Sequence, residues 1–81
     1  MYQTISEKIE VAGVYKNAKF FPKKFNWKHK LYNIQEITFI ADIRDGVVLK
    51  RMYSVVVGEN LFRLCFDRSQ ETWSLEEVWF E

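Results

Sequence analysis

Apolar and polar residues alternate along most of this chain with a period of two, which is typical of β-strands with one buried face. Residues 61–67 show the pattern most clearly, because Phe62, Leu64 and Phe66 alternate with less apolar neighbours. Five further segments of this kind are separated by short polar loops: residues 8–15, 20–27, 31–44, 47–57 and 72–80. The pattern predicts six strands and no helix.

The strongest local signal is the Asp45-Gly46 pair, which lies between apolar runs at 34–43 and 47–57. Both residue types tolerate the positive φ angles of a type I′ turn, and Asp-Gly between β-branched runs is typical of a hairpin. We therefore expect a hairpin centred on this pair, to which the other strands are added.

The apolar phase slips in two of the predicted strands. In 31–44 it changes from even positions, such as Ile34, to odd positions, such as Ile37, and a similar change separates Trp73 from Val78. A β-bulge adds one residue, restores the phase and bends the strand. We expect bulges at residues 35–36 and 76–77.

Such bends favour a closed sheet over a flat one, because a flat meander would leave an apolar face in water. The chain has seven Phe, three Trp and four Tyr to fill the interior. We predict an all-β fold, a six-stranded antiparallel meander strongly bent into a small, partly open barrel. Residues 1–81 form one domain, in which residues 1–7 are expected to be loosely ordered.

Composition restricts the cellular setting. Cys65 is the only cysteine, so no disulfide can form within the chain, and no apolar run approaches the roughly 18 residues of a membrane span. The start at Met1 lacks the apolar segment of a secretory signal. We expect a cytoplasmic protein that does not enter a membrane.

The reactive residues argue against an enzyme. One His and one Cys cannot form a typical zinc site, and the three glycines stand apart rather than in a phosphate-binding loop. A nucleophile pair would require Cys65 and His29 to meet in space. Glu76 and Glu77 are adjacent on a strand and are expected to point to opposite faces. We predict a non-enzymatic protein without a cofactor or metal.

Surplus apolar surface suggests an interaction module. On the two central strands, one face carries Ile37, Phe39, Tyr53 and Val55, and the opposite face is also apolar. A barrel interior accounts for only one of these faces. The residues predicted to contact a protein partner, or a second copy in a homodimer, are Ile40, Val48, Met52 and Val56.

The alternative function is binding of single-stranded nucleic acid. The net charge is only +1, but residues 16–30 contain six Lys and no acidic residue, interleaved with aromatic residues. Small barrels can combine a basic groove with stacking rings. The residues that would serve are Lys23, Lys24, Lys28, Lys30, Phe20 and Phe21. Alternation could equally bury the rings and leave the lysines to protect an exposed strand edge.

A longer motif resembles a family of short, functionally uncharacterised bacterial proteins. It reads Pro22-x-x-Phe25-x-Trp27, Tyr32-x-Ile34-x-x-Ile37, Tyr53-Ser54-Val55, Phe66-Asp67 and Thr72-Trp73-x-Leu75-Glu76-Glu77-Val78. The resemblance covers about residue 8 to the end and implies a fold rather than a function. The family tends to have Gly where this chain has His29; if that site needs a positive φ, His is among the non-Gly residues that tolerate it best.

Overall fold

A computed structural model describes residues 1–80, apart from the side chain of Asp45. The last residue of the predicted domain, Glu81, lies outside the described residues. The strands in chain order are β1 (Tyr2–Lys16), β2 (Lys19–Trp27), β3 (Lys30–Asn33), β4 (Glu36–Asp45), β5 (Val48–Val57), β6 (Asn60–Asp67) and β7 (Thr72–Trp79). No helix within residues 1–80 is long and apolar enough to cross a membrane.

All these strands belong to one antiparallel sheet in the order β3-β2-β1-β7-β6-β5-β4. Neighbours in the sheet are neighbours along the chain, except that β1 pairs with β7 and β3 does not pair with β4. The N-terminal ammonium of Met1 donates to the Phe80 carbonyl at 2.6 Å, and the Phe80 N–H donates back to Met1 at 2.7 Å. The sheet curls into a half-barrel, so the predicted all-β, partly open architecture is confirmed.

Two residues connect the outer strands β3 and β4. The Ile34 N–H donates to the Lys23 carbonyl and the Gln35 N–H donates to the Val56 carbonyl, each at 2.8 Å. The Lys23 carbonyl belongs to β2 and the Val56 carbonyl to β5, on opposite sides of the sheet. The link therefore holds the two edges of the sheet together, and we call this region the closed end. Since β3 pairs only with residues 24–27 of β2, we call the region beside residues 19–22 the open end.

The link and a bulge together explain the phase slip in the predicted strand at 31–44. That segment is two strands, β3 and β4, which is why the sheet has seven strands rather than six. The bulge lies at Thr38, between Ile37 and Phe39, so the prediction of a bulge at 35–36 is wrong. The bulge predicted at 76–77 is confirmed, because the register shift opposite Arg63 leaves Glu76 as an extra residue.

The N-terminal segment and the central turn also differ from expectation. Residues 2–7 belong to β1 and are paired with β7, so the expected loose order of residues 1–7 is wrong. Asp45 is paired with Val48, which moves the two-residue turn to Gly46 and Val47. Gly46 has a φ of 65° at the first central position, as in a type II′ turn rather than the expected type I′.

The turn between β2 and β3 has both of its central residues in the left-handed region of backbone space. Lys28 and His29 have φ angles of 53° and 61°, which is the pattern of a type I′ turn. The position of His29 therefore does require a positive φ. The β1–β2 turn is of the same kind, with φ angles of 54° at Asn17 and 64° at Ala18.

One face of the sheet carries the core and is called the inner face. Its fully buried apolar side chains are those of Phe25, Tyr53, Val55, Phe62, Leu64, Leu75 and Val78. Residues directly opposite each other on neighbouring strands share a face, so the register assigns every other side chain to the inner or the outer face. At the bulge between β1 and β2, a Cβ on Gly13 would overlap the Phe21 carbonyl oxygen, so this close approach requires glycine.

Candidate binding surfaces

The residues predicted to contact a partner do not all share one face. Val48, Met52 and Val56 alternate with the buried Tyr53 and therefore lie on the outer face. Ile40 is opposite Tyr53 and lies on the inner face, so its predicted grouping with Met52 is wrong. The physical reason is the bulge at Thr38, which reverses the phase of β4.

Phe39 takes the place of Ile40 on the outer face. It is opposite Ser54, and it is 57% exposed on the outermost strand of the sheet. Ile43 lies four residues further along β4, on the same face, and is 43% exposed. We define the outer apolar surface as six residues that cross strands β4 to β7: Phe39, Ile43, Met52, Val56, Leu61 and Trp79.

The lysine-rich segment forms an exposed run along β2, while its aromatic rings turn away from solvent. Lys23, Lys24, Lys28 and Lys30 are exposed. Phe20 and Phe21 are half-buried and lie on opposite faces. The Lys28 ammonium lies 4.9 Å from the centre of the Trp27 ring, and that of Lys30 lies 5.3 Å from the Tyr32 ring. Lysines therefore occupy the positions over these rings.

The groups considered for chemistry are dispersed. Cys65 is buried on β6, and burial raises the pKa of its thiol, which makes the thiolate less available. His29 lies in the β2–β3 turn, and β1 and β7 separate β2 from β6 in the sheet. Glu76 accepts a hydrogen bond from the Ser74 hydroxyl at 2.6 Å. No group of three or more potential metal ligands occurs among the side chains that the structure describes.

The open end contains a cleft that the sequence did not predict. The Tyr53 hydroxyl donates to the Phe20 carbonyl at 3.0 Å and thereby joins β5 to β2 across the interior. Beside this bond lies a cavity of about 210 Å³, and an adjoining cavity of about 230 Å³ shares Phe20, Arg51 and Tyr53 with it. We define the aromatic–arginine cleft by six lining residues: Phe20, Arg51, Tyr53, Phe66, Arg68 and Trp73.

Charge at the cleft is organised around one carboxylate. Arg51 Nε donates to Asp42 Oδ1 at 2.6 Å, and Nη2 donates to Oδ2 at 3.1 Å. This bidentate hydrogen bond, supported by the charges of Arg51, Arg68 and Lys19, holds the pKa of Asp42 below its usual value. Because the two cavities are lined by three cations and one carboxylate, the cleft has an excess of positive charge.

One signal in the sequence could have indicated this cleft. Arg51 alternates in phase with Tyr53 and Val55, so a charged residue stands in a row that otherwise faces the core. Alternation alone does not predict that Asp42 is the partner of Arg51, because the bulge at Thr38 changes which residues of β4 face inward. The aromatic walls come from β2, β6 and β7 and meet only when the sheet curls.

Comparison of this chain with protein-family models, with curated proteins and with solved structures gives no match in any of the three. The resemblance carried by the motif from Pro22 to Val78 therefore stays a prediction.

Proposed function

We propose that this chain is a non-enzymatic interaction module that binds a second copy of itself through β4 and the outer apolar surface. The observation that carries this proposal is the exposure of Phe39 and Ile43, at 57% and 43%, on an outermost strand. Exposed apolar side chains beside an unpaired strand edge favour association with another chain.

The symmetry of an antiparallel strand pair makes a second copy of this chain a suitable partner for β4. A two-fold interface brings the same residues together from both chains. Suppose that β4 pairs antiparallel with β4 of a second copy and that the two-fold axis passes through Ala41. Phe39 of each chain then lies opposite Ile43 of the other chain. Ala41 is small and shares the outer face with both residues, so the four large side chains can pack around the axis.

The outer apolar surface extends beyond β4, as an interface of ordinary size requires. A stable interface buries about 800 Å² on each partner, which is about one-seventh of the 5680 Å² surface of this chain. Strand pairing at β4 alone would bury less. Met52, Val56 and Leu61 extend the apolar area from β4 across β5 to β6, so a twisted two-fold arrangement has more surface to cover.

Sedimentation velocity tests this proposal over a concentration series up to about 100 µM, where a dimer with a Kd of about 10 µM is largely assembled. We expect the wild-type chain to change from the monomer mass to twice that mass. Phe39→Lys should shift the midpoint to at least about tenfold higher concentration, because it places charge in an apolar contact.

Leu31→Lys is the matched control, because Leu31 is an equally exposed apolar residue, at 51%, on the opposite outermost strand β3. It should leave the dimer unchanged. Far-UV circular dichroism confirms that both variants are folded. A wild-type chain that stays monomeric at every concentration, or a Leu31→Lys variant that dissociates as readily as Phe39→Lys, would rule the proposal out.

Binding of single-stranded nucleic acid through residues 16–30 is the alternative, and it has less support. Lys28 and Lys30 lie over the rings of Trp27 and Tyr32, which leaves those faces unavailable for stacking bases. This function requires salt-dependent binding that Lys23→Glu and Lys24→Glu weaken. Equal affinity of these variants and the wild type would exclude it.

A further inference from the structure

The aromatic–arginine cleft lies on the inner face of the sheet, opposite the outer apolar surface, and it is an unusual place for ionic residues. Elsewhere on β5 the inner positions are filled by apolar side chains such as Tyr53 and Val55, which are almost fully buried. Arg51 continues the same row and is paired with Asp42, which is 55% exposed. An exposed ion pair contributes little to stability, so folding alone does not account for this pair.

The walls of the cleft are rings at angles to one another. Trp73 is the central ring, and its centroid lies 4.9 Å from that of Phe66, 5.3 Å from that of Tyr53 and 5.6 Å from that of Phe20. All three pairs are tilted rather than stacked. A flat ring that enters the adjacent cavity therefore meets both ring faces and ring edges, which are the contacts that aromatic pairs prefer.

The cations lie beside these walls and are held in place. Arg51 is oriented by its two hydrogen bonds to Asp42. The backbone N–H of Arg68 donates to the Leu49 carbonyl at 2.9 Å, which attaches the start of the β6–β7 loop to β5. A guanidinium group offers several N–H donors in a planar arrangement that suits carboxylate and phosphate.

The volume of the cavity limits the ligand to a small one. The cavity volume of about 210 Å³ is that of about seven water molecules in the liquid, at about 30 Å³ each. Pockets for larger ligands are about 300 to 1,000 Å³. One aromatic ring can therefore enter, while an extended cofactor cannot.

We infer that the aromatic–arginine cleft binds a small ligand consisting of one flat ring system and one anionic group, either carboxylate or phosphate. The ring lies against Phe20, Phe66 and Trp73, and the anionic group lies beside Arg51 and Arg68. This inference does not rest on self-association, because the cleft and the outer apolar surface lie on opposite faces of the sheet.

Isothermal titration calorimetry with matched probes tests the inference. The phosphate arm uses phenyl phosphate, with phenol as the neutral counterpart and inorganic phosphate as the probe without a ring. The carboxylate arm uses benzoate, with benzamide as its neutral counterpart. We expect at least one charged probe with a ring to bind with a Kd below about 1 mM, and its counterparts to bind at least about tenfold more weakly. The arm that responds identifies the anionic group.

Variants then locate the site. Arg51→Gln should weaken binding about tenfold or more, because it removes a charged hydrogen-bond donor. Arg68→Gln should weaken it several-fold and lies on an exposed loop, where folding tolerates the change. Asp42→Asn should strengthen binding, because it removes the carboxylate that competes with the ligand for Arg51.

Arg63→Gln is the matched control, since Arg63 forms a similar ion pair with Glu77, at 3.4 Å, on the outer face. It should leave the affinity unchanged. Absence of binding by both charged ring probes up to about 10 mM, equal binding of the neutral counterparts, or equal loss in Arg63→Gln and Arg51→Gln would each overturn the inference.

Discussion

The half-barrel contains two groups of aromatic rings, and the group at the open end lines the aromatic–arginine cleft. At the closed end Phe25, Tyr32 and Phe62 lie within 5.0 to 5.4 Å of one another, and Phe25 and Phe62 are 1% and 2% exposed. At the open end Trp73 makes contacts of similar length with Phe20 and Phe66, yet all three are only half-buried. Ring content alone therefore does not determine burial.

The difference lies in how the two edges of the sheet meet. At the closed end Ile34 and Gln35 connect β3 to β4 and bond to both sides of the sheet, and Phe25 and Phe62 are buried there. At the open end β3 is too short to accompany the first half of β2, and the bond from Tyr53 to Phe20 joins the two sides there. One end is closed by the chain itself and therefore packs as core, whereas the other is bridged by a side chain and keeps a cleft.

The largest expected effect comes from removing one ring at each end of the same strand. Phe62 and Phe66 are both inner-face residues of β6, the first fully buried and the second half-buried. Phe62→Ala should lower the free energy of unfolding by about 3 to 5 kcal/mol. Phe66→Ala should cost at least about 1 kcal/mol less, because a partly open site loses less apolar burial.

Urea unfolding monitored by circular dichroism measures both changes. The free energies of the two variants can be compared directly when unfolding depends on urea concentration with the same slope in both. Equal losses in the two variants would mean that the ends are packed alike. A larger loss in Phe66→Ala would reverse the comparison.

Much of the closed end could be predicted from the sequence, because its signals are local. Alternation identifies the strands, and large rings at inner positions indicate a curved sheet with a filled interior. The division between β3 and β4 is different, because the Ile34 and Gln35 N–H groups find carbonyls on two strands that are distant in sequence. No local pattern shows which carbonyls those are, so the segment reads as one long strand.

The open end could hardly be predicted, for two physical reasons. Phe39 and Ile40 are adjacent apolar residues, so periodicity cannot tell which of them faces the core once a bulge is allowed at Thr38. The aromatic–arginine cleft is also assembled from strands β2, β5, β6 and β7. Its charged pair, Asp42 and Arg51, becomes visible only when the register of β4 is known.

The bridge at the open end gives the second prediction. Tyr53→Phe removes the hydroxyl that donates to the Phe20 carbonyl and should cost about 1 kcal/mol. Tyr32→Phe at the closed end is the matched control, because the Tyr32 hydroxyl makes no hydrogen bond that the structure shows within residues 1–80. It should change stability by less than about 0.5 kcal/mol. A greater loss in Tyr32→Phe would contradict the assignment of the bridge to Tyr53.

The same hydroxyl predicts an alkaline dependence of stability. Burial raises the pKa of Tyr53 above its usual value of 10.0. An acid whose pKa is higher in the folded state stabilises the fold below the unfolded pKa, and this stabilisation is lost as the pH rises towards the folded pKa. The free energy of unfolding should therefore fall above about pH 10, and it should fall less steeply in Tyr53→Phe. Identical slopes for the two proteins would show that Tyr53 does not carry this dependence.

The ion pair at the open end predicts a smaller acidic dependence. The hydrogen bond from Arg51 lowers the pKa of Asp42 from 3.8, so its contribution is present above that value and is lost as the pH falls through the lowered pKa. Both partners reach solvent, at 23% and 55% exposure, so the loss should be less than about 1 kcal/mol. Urea unfolding below about pH 4 should show a shallower decrease for Asp42→Asn than for the wild type. A steeper decrease in the variant would contradict this account.

The smallest expected effect separates the two type I′ turns, one at each end of β2. Ala18, beside the cleft, has a φ of 64°, and its methyl group does nothing to favour this left-handed conformation. His29 has a φ of 61° and belongs to a residue type that tolerates the left-handed region. Glycine removes the steric cost but loses more conformational entropy on folding. Ala18→Gly should therefore gain about 0.5 kcal/mol, and His29→Gly should gain less. Thermal unfolding resolves the difference as a higher Tm for Ala18→Gly, and the opposite order would mean that His29 is the more strained residue.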